Sequence, residues 1–267
     1  MIGKPRVIII TGNSKRHEYY VECVERELDV IQVYAETKFS YVDAFADSSL
    51  ADAVAKHFSL RDASEQHYFG SAAPKSPIKT LQRGGANKPE VVEEIIGLQA
   101  DFVLLFGSGI IKEPILEAYQ DRVINMHLGL SPYYRGSGTN FWPLVDGKPE
   151  CVGATIHLAV LKVDAGRILH QVRPHDLSSD DTIHDVGNKT IRSTLRVLPK
   201  AIQGYFNNKI KLIDQPNLDD RDFRRMDLNA ESIAQAYHNF DQGMLKRYLE
   251  NKNERDMAYT IVDASFA

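Results

Sequence analysis

A short uninterrupted run of β-branched residues near the start of the printed sequence restricts the fold more than any other feature. Val7-Ile8-Ile9-Ile10 is apolar at every position, which is typical of a strand buried on both faces, as in a parallel sheet. The run ends at Thr11-Gly12-Asn13-Ser14, and a helical spacing of apolar residues follows from His17 to Leu28, then a second strand from Val30 to Tyr34. This order predicts a doubly wound α/β fold, with a mostly parallel sheet and helices on both faces.

The rest of the sequence continues this alternation of strands and helices. Gly70 to Asn87 is rich in glycine, serine, proline and lysine and predicts a long loop. Asp180 to Phe206 predicts one long helix, with Asp180 or Asp181 as its N-cap. The composition becomes polar after Asn207, so we predict a main domain over residues 1–210 and a partly helical C-terminal extension over 211–267. The other predicted helices are 49–58, 89–98, 114–119 and 230–250, and the other predicted strands are 101–106, 123–127, 152–158 and 167–172.

Composition limits the classes of partner. With 32 basic and 36 acidic residues the net charge is −4, so no strong basic field indicates nucleic-acid binding. The two cysteines, Cys23 and Cys151, lie far apart and predict free thiols in a reducing compartment. The apolar stretch from Val7 to Ile10 is too short for a signal-peptide core or a membrane span, so we expect a cytoplasmic protein.

The first candidate catalytic residues are Asn125 and His127, which lie two positions apart on a predicted strand. Side chains alternate along a strand, so both project to the same face. The strand runs into a glycine- and proline-containing loop, which puts the pair at its carboxyl end, where open α/β sheets bind ligands. An imidazole can act as a general acid or base, and an amide NH₂ can donate to an oxyanion. Taken alone, the pattern favours structural hydrogen bonding over catalysis.

A second element lies in the turn Val163-Asp164-Ala165-Gly166. A carboxylate there can orient a nearby imidazole or raise its pKa. The alternative is that Asp164 only forms the turn, because Asp-x-Gly is common in turns.

Three elements together resemble the folate-dependent formyltransferases, a family that includes glycinamide ribonucleotide, methionyl-tRNA and sugar-nucleotide N-formyltransferases. They are the segment from Asn125 to Gly136, then Gly153-Ala154-Thr155-Ile156-His157, then Asp164-Ala165-Gly166, which follows His127 by 37 residues. The resemblance covers residues 100–175 well and the rest of the first 210 more loosely. It departs from the family at Leu128-Gly129, where Pro-Ser is usual, which puts the loop backbone and substrate contacts in question.

The resemblance implies a Rossmann-like formyltransferase fold and assigns roles to residues. Asn125, His127 and Asp164 fall on the family's catalytic triad, which promotes attack of an amine on the formyl carbon of 10-formyltetrahydrofolate without a metal. The folate pterin would be held near the glycine-containing segment after strand 101–106 and by the loop before Asp164. For the aliphatic side chains, ordinary packing is the alternative. The implied folate contacts are Phe106, Gly109, Ile110, Ile111, Leu161 and Val163.

The acceptor side is less well defined. The full dinucleotide fingerprint is absent after the first strand, so no nicotinamide cofactor is expected. Nucleotide substrates of the family approach the turn Gly12-Asn13-Ser14. The alternative is that this segment is only a turn that begins a helix. Arg135 could pair with a phosphate or with a structural carboxylate, and His157 favours a structural role. The implied substrate contacts are Gly12, Asn13, Arg16 and Arg135, with His17 as a further candidate.

The family analogy favours a nucleotide-linked amine, the amino-sugar nucleotide, as acceptor. The alternatives are a formyltetrahydrofolate hydrolase, a glycinamide ribonucleotide or hydroxyornithine formyltransferase, and a non-catalytic nucleotide- or folate-binding protein of the same fold. No nucleic-acid or membrane partner is expected, and the C-terminal extension could support a homodimer.

Overall fold

The computed structural model describes residues 3–37, 40, 43, 51–216 and 222–264. A seven-stranded sheet forms its centre, in the order β3-β2-β1-β4-β5-β7-β8. The strands are β1 Arg6–Gly12, β2 Asp29–Glu36, β3 Ile78–Leu81, β4 Phe102–Phe106, β5 Val123–His127, β7 Ala154–Leu158 and β8 Ile168–Val172. The first five in this order are parallel, whereas β7 is antiparallel to both β5 and β8. The predicted mostly parallel α/β sheet is confirmed.

Helices cover both faces of the sheet, and the short strands β6 Arg135–Gly136 and β9 Asp222–Phe223 pair outside it. One face of the sheet packs on α1, α2, α6 and α7, and the other on α3 and α4. The helices are α1 Lys15–Glu27, α2 Ala51–Phe69, α3 Pro89–Gly97, α4 Glu113–Ala118, α5 Trp142–Val145, α6 Ile183–Leu195, α7 Leu198–Phe206, α8 Ala230–Asp241, α9 Met244–Glu250 and α10 Lys252–Met257. None of the helices in the part of the chain that the structure describes has the length and apolarity needed to cross a bilayer.

The first strand shows why the opening run constrains the fold. Residues Val7 to Ile10 are fully buried, with alternate side chains entering the two cores on opposite faces of the sheet. Burial on both faces removes the polar alternation of a half-exposed strand. Cys151 is buried and Cys23 is half-buried, and both are free thiols.

Three predictions of local structure are corrected. The segment 70–87 is not one loop, because it contains β3 and a 3₁₀ helix at Gly85–Asn87; β3 is an exposed edge strand without an apolar pattern. The helix predicted over 180–206 is two helices, α6 and α7, with Thr182 rather than an aspartate as the N-cap. Pro199 in the first turn of α7 has no N–H for a continuous helix. The helix predicted over 230–250 is interrupted at Gly243, where φ is 72°.

The helix predicted from residue 49 is longer than expected and ends at Phe69; residues 49 and 50 lie outside the described residues. The described part of the C-terminal extension packs on the rest of the chain. Helices α8 and α9 bury Ala236, Met244, Leu245 and Tyr248 against Leu144, Val152, Ile183 and Val186. The boundary at residue 210 stays a prediction.

Candidate active site

Register within the sheet brings the predicted side chains together. Strand β5 pairs with β7 so that Asn125 lies opposite His157 and His127 lies opposite Thr155. Asp164 comes from the turn between β7 and β8, at the edge of the same pair. Asn125 Nδ2 donates to Asp164 Oδ1 at 3.2 Å, and His127 Nδ1 lies 3.1 Å from Asp164 Oδ2. The structure therefore joins the amide, the imidazole and the carboxylate in one contact group.

Asp164 is held by its backbone as well as by its neighbours. Its φ of 51° lies in the left-handed region, which Asp and Asn tolerate better than most residues. The Gly136 N–H donates to Asp164 Oδ2 at 3.0 Å. Burial by itself raises the pKa of Asp164, but the charge of His127, the neighbouring His157 ring and the hydrogen bond from the Gly136 N–H outweigh it and hold the pKa well below its usual range. The carboxylate is therefore ionised at neutral pH.

The two nitrogens of His127 have different surroundings. Nε2 is enclosed, 3.1 Å from the Tyr134 carbonyl oxygen and 3.2 Å from Thr139 Oγ1. Nδ1 faces Asp164 and is the nitrogen that can reach a ligand. Burial lowers the pKa of His127 because it disfavours the charged ring, and the Asp164 carboxylate opposes this shift.

Gly129, where the sequence departs from the family pattern, lies directly against His127. An ideal Cβ at this position would overlap His127 Nε2 and the side chain of Thr139. Thr155 fixes the loop, because its hydroxyl donates to the Gly129 carbonyl at 2.6 Å and accepts from the Ser131 N–H at 2.9 Å. Glycine at 129 thus allows the loop to close directly on the imidazole.

His157 belongs to the site, whereas the sequence favoured a purely structural role. Its Nδ1 donates to the Leu158 carbonyl at 2.8 Å, which leaves Nε2 as an acceptor for Asn125 Nδ2 at 3.2 Å. Nε2 also lies 3.4 Å from Asp164 Oδ1. His157 therefore orients the Asn125 amide toward the carboxylate. The sequence feature that could have indicated this role is the position of His157 two residues after Thr155, on the strand that pairs with the strand of Asn125 and His127.

The triad lines a cavity of about 590 Å³. One wall is formed by the segments 105–111 and 159–163, and it includes every predicted folate contact: Phe106, Gly109, Ile110, Ile111, Leu161 and Val163. Ile110, Leu161 and Val163 are 70%, 62% and 47% exposed. Large aliphatic side chains exposed at a cavity mark a surface for an apolar ligand group.

The glycine-containing segment after β4 is fixed by the neighbouring strand. Glu36, at the end of β2, accepts from the Gly109 N–H at 2.7 Å and from the Ala86 N–H at 3.1 Å. Asn87 Nδ2 donates to the Ile110 carbonyl at 2.8 Å. These bonds hold the Ile110 side chain at the cavity mouth.

The predicted substrate contacts separate into two groups. Asn13 and Arg16 line the cavity, as does His17, and Arg16 forms an ion pair with Glu65 at 3.0 Å. Gly12 and Arg135 are not among its lining residues.

Arg135 instead faces the C-terminal extension. Its side chain is buried and donates to Gln215 Oε1 through Nε at 3.1 Å and Nη2 at 2.7 Å. Gln215 Nε2 in turn donates to the carbonyl oxygens of Asp164 at 2.8 Å and Gly166 at 2.7 Å. Arg135 thus supports the turn that carries Asp164.

The opposite wall contains residues that the sequence did not single out. It is built by α1, α2, α6 and the segment after β9, which contributes Arg224, Arg225 and Leu228. The densely charged run before residue 226 was a visible signal, but its position beside the triad depends on tertiary packing. Among the described residues, no group of three or more His, Cys, Asp or Glu side chains is arranged to hold a metal ion.

Two buried histidines in this wall predict loss of stability in acid. The rings of His57 and His184 lie 4.7 Å apart, with the Tyr237 hydroxyl 3.3 Å from His57 Nδ1. Burial, the neighbouring ring and Arg61 lower the pKa of His57 to about 3, and burial and Arg61 lower that of His184 to about 4. Below about pH 6.5 these histidines bind protons in the unfolded chain but stay neutral in the folded chain. The free energy of unfolding should therefore fall by about 1.4 kcal/mol per pH unit for each histidine as the pH is lowered from about 6 to 4.

Urea unfolding of the wild type and the His57→Gln, His184→Gln variant at pH 6.5, 5.5 and 4.5 tests this expectation. The variant should have a shallower fall in the free energy of unfolding, whatever its stability at pH 6.5. Equal slopes in the two proteins would contradict it.

Comparisons with known proteins agree with the geometry. Residues 6–202 match the family model described as Formyl transferase. A methionyl-tRNA formyltransferase of Listeria monocytogenes is 32% identical over 145 residues, which are 54% of this chain and 46% of that protein. One from Staphylococcus epidermidis is 29% identical over 181 residues, covering 64% and 57% of the two chains. The chain thus spans about half the length of the curated relatives it matches.

Solved structures share the fold. A glycinamide ribonucleotide transformylase from Symbiobacterium toebii has a TM-score of 0.54 at 18% identity and covers 79% of this chain and 95% of its own. A sugar N-formyltransferase from Shewanella sp. has a TM-score of 0.56 at 17% identity and covers 87% of each chain. An N-formyltransferase from Helicobacter canadensis, in complex with folinic acid and dTDP-3-aminofucose, has a TM-score of 0.54 at 19% identity and covers 87% of this chain and 80% of its own. The resemblance found in the sequence is confirmed.

Proposed function

The chain belongs to the formyl transferase family, and from this premise we propose that it transfers a formyl group from 10-formyltetrahydrofolate to the primary amine of an amino-sugar nucleotide. The observation that carries the proposal is the contact group of Asn125, His127 and Asp164, with separations of 3.1–3.2 Å, in the wall of a cavity. Such a group suits addition of a nucleophile to a carbonyl carbon, because it combines donors for an oxyanion with a carboxylate that orients the imidazole.

The apolar wall fits the folate. Ile110, Leu161 and Val163 present exposed aliphatic surface that a flat, partly apolar ring system would cover. The glycine-containing segment between β4 and α4 brings backbone N–H and C=O groups to the same wall, where they can hydrogen-bond the polar edge of the ring. When bound, 10-formyltetrahydrofolate supplies an activated formyl carbon whose carbonyl oxygen gains negative charge on attack by an amine.

The triad residues have distinct roles in this proposal. Asn125 now donates to His157 Nε2 and Asp164 Oδ1, and it exchanges one of these bonds for the substrate oxygen. His127, protonated, shares its one Nδ1–H between Asp164 Oδ2 and the same oxygen, because Nε2 is enclosed by the loop. Asp164 stabilises the charged imidazole and accepts, directly or through water, the proton that the attacking amine releases. The N10 leaving group of the folate takes up this same proton, directly or through water, as the formyl group departs, which restores the Asp164 carboxylate.

The amino-sugar nucleotide is proposed on two grounds. The N-formyltransferase from Helicobacter canadensis shares the fold and was solved with an amino-sugar nucleotide, and the likeness to the sugar N-formyltransferase from Shewanella sp. spans 87% of this chain. The cavity wall opposite the folate side carries Arg16 and Arg61, and the side-chain charge there suits a phosphorylated acceptor.

A turnover assay with a panel of acceptors tests the proposal. The full chain is incubated with 10-formyltetrahydrofolate and, in turn, dTDP-3-aminofucose, glycinamide ribonucleotide, methionyl-tRNA, hydroxyornithine or no amine. Tetrahydrofolate release and the mass of the formylated product are measured, with His127→Gln as the inactive control. Formylation of the amino-sugar nucleotide with the highest kcat/KM is expected.

The other outcomes contradict the proposal in different ways. Preferred formylation of another amine would retain formyl transfer and overturn the acceptor. Release of tetrahydrofolate without an amine would indicate a hydrolase. Tight binding of the folate without turnover of any acceptor would indicate a binding protein.

A further inference from the structure

The segment Asp222–Leu228 crosses the cavity wall opposite the folate side and lies outside the part of the chain that matches the family model. We propose that this segment, called here the arginine segment, recognises a phosphate group of the acceptor through Arg224 and Arg225. The inference rests on the proposed function for the amine, but the recognition of phosphate can be measured without any formyl transfer.

The start of the arginine segment is anchored by Phe223. Its ring is buried between two aromatic rings, stacked on Trp142 at 4.8 Å and on Tyr134 at 5.6 Å, with interplanar angles of 15° and 9°. The Phe223 carbonyl accepts from the Ser137 N–H at 2.7 Å. The anchor therefore combines a stacked aromatic contact with a backbone hydrogen bond.

The anchor lies directly beside the catalytic carboxylate. Gly136, whose N–H donates to Asp164 Oδ2 at 3.0 Å, is the register partner of Phe223. Its φ is 94°, and an ideal Cβ at this position would overlap the Phe223 carbonyl oxygen. Only glycine allows strands β6 and β9 to approach this closely. The arginine segment therefore begins on the strand next to the one that binds Asp164.

The end of the segment is anchored on helix α2. Leu228 is buried in a cluster with Val54, Phe58 and Ile233. The Arg61 guanidinium stacks over the Phe58 ring at 4.6 Å. Arg224 and Arg225 therefore lie between two fixed points, on the same side of the cavity as Arg61.

The balance of charge on this wall is positive. Its lining residues include Arg16, Arg61, Arg224 and Arg225 but one carboxylate, Glu65, within the described residues. Glu65 is buried and already paired with Arg16 at 3.0 Å and Arg61 at 3.5 Å.

Arg224 retains an accessible guanidinium. Its backbone N–H donates to Asp227 Oδ2 at 2.7 Å, which fixes the main chain, while the side chain is exposed at the cavity. The carboxylates of Asp222 and Asp227 belong to the same segment but do not line the cavity. Guanidinium groups bind phosphate oxygens in a bidentate manner, which favours a phosphate over a neutral sugar as their ligand.

Calorimetric titration with uridine diphosphate and with inorganic pyrophosphate tests this inference. The wild type should bind uridine diphosphate, and the Arg224→Gln, Arg225→Gln variant should bind it about ten-fold or more weakly. Raising the salt concentration should weaken binding to the wild type more than binding to the variant. Arg196→Gln is the matched control, because Arg196 is an exposed arginine at the C-cap of α6 that pairs with Asp176 at 3.5 Å and does not line the cavity, and it should bind like the wild type.

Variants of Phe223 test whether the position of the arginine segment matters as well as the charges of Arg224 and Arg225. Phe223→Ala should weaken binding of uridine diphosphate although both arginines remain, whereas Phe223→Tyr should retain binding because it preserves the stack. With an active acceptor, the arginine variant should raise KM for the acceptor and leave KM for the folate unchanged.

The inference is overturned if the wild type binds neither probe, if the arginine variant binds as tightly as the wild type, or if both KM values rise equally. Arginine-dependent binding in a protein that formylates no amine would support this inference and refute the proposed function.

Discussion

The His127→Ala variant is expected to lower kcat for formyl transfer by about 10²- to 10⁴-fold, the usual range for loss of a general acid or base. The imidazole is the group that can donate to the developing oxyanion from Nδ1, and its contact with Asp164 at 3.1 Å holds it in place. The measurement is kcat and KM for both substrates, with circular dichroism and thermal unfolding to verify the fold.

The Asp164→Asn variant is also expected to lower kcat, and it tests the negative charge of Asp164 because the size of the side chain is retained. Asn tolerates the left-handed backbone that Asp164 adopts at φ 51°, so the turn should persist. Three of the groups close to the carboxylate can donate to it, namely Asn125, Gly136 and His127. An amide would direct its own NH₂ against some of them, and kcat should again fall by orders of magnitude.

The sign of the pKa change adds an independent readout. The carboxylate opposes the effect of burial on His127, so Asp164→Asn should lower the pKa of His127 further. NMR titration of the imidazole in the two proteins measures this shift. Near-normal kcat in both variants would refute the assignment of the triad.

Gly166→Ala should lower activity and stability together, although Gly166 does not line the cavity. An ideal Cβ at this position would overlap the backbone carbonyl oxygen of Leu158, and the Leu158 N–H donates to the Arg167 carbonyl oxygen at 2.9 Å. Backbone atoms on both sides cannot give way, so the turn that carries Asp164 must move. We expect a loss of about 1–3 kcal/mol or more in the free energy of unfolding and a fall in kcat of about 10²-fold from displacement of the carboxylate.

Gly97→Ala provides the matched control for this glycine. Gly97 ends α3, and nothing lies within 4 Å of an ideal Cβ there. Alanine should therefore leave kcat unchanged and stabilise the helix by at most about 1 kcal/mol. If Gly166→Ala had the melting temperature and kcat of the Gly97 variant, the close approach to Leu158 would not constrain the turn.

Local patterns were sufficient to predict the centre of the fold and to single out Asn125, His127 and Asp164, which the structure brings into contact. The buried run from Val7 to Ile10 reflects burial on both faces, and the two-residue spacing of Asn125 and His127 fixes their common face on β5. The turn before Gly166 was visible because Asp-x-Gly is a local signal. These features depend on residues that are neighbours in the sequence.

Other features depend on contacts between residues far apart in the sequence. His157 joins the site only because β7 pairs with β5 in one register. Arg135, predicted as a substrate contact, turns to Gln215, 80 residues away. Strand β3 was hidden in a polar stretch because it is held by parallel pairing with β2 rather than by an apolar pattern. The spacing of apolar residues within one segment cannot predict contacts between segments that are far apart in the sequence.

The hydrogen bonds from Gln215 to the carbonyls of Asp164 and Gly166 have a consequence for engineering. They make the position of Asp164 dependent on a side chain that lies 51 residues further along the sequence. Exchanging C-terminal parts between relatives, to transfer acceptor preference, would therefore also replace the side chain that holds the Asp164 turn. A chimera joined before residue 215 must bring its own glutamine and its own match to Arg135. A junction after this residue keeps both side chains and exchanges only the later part of the cavity lining, which includes Arg224 and Arg225.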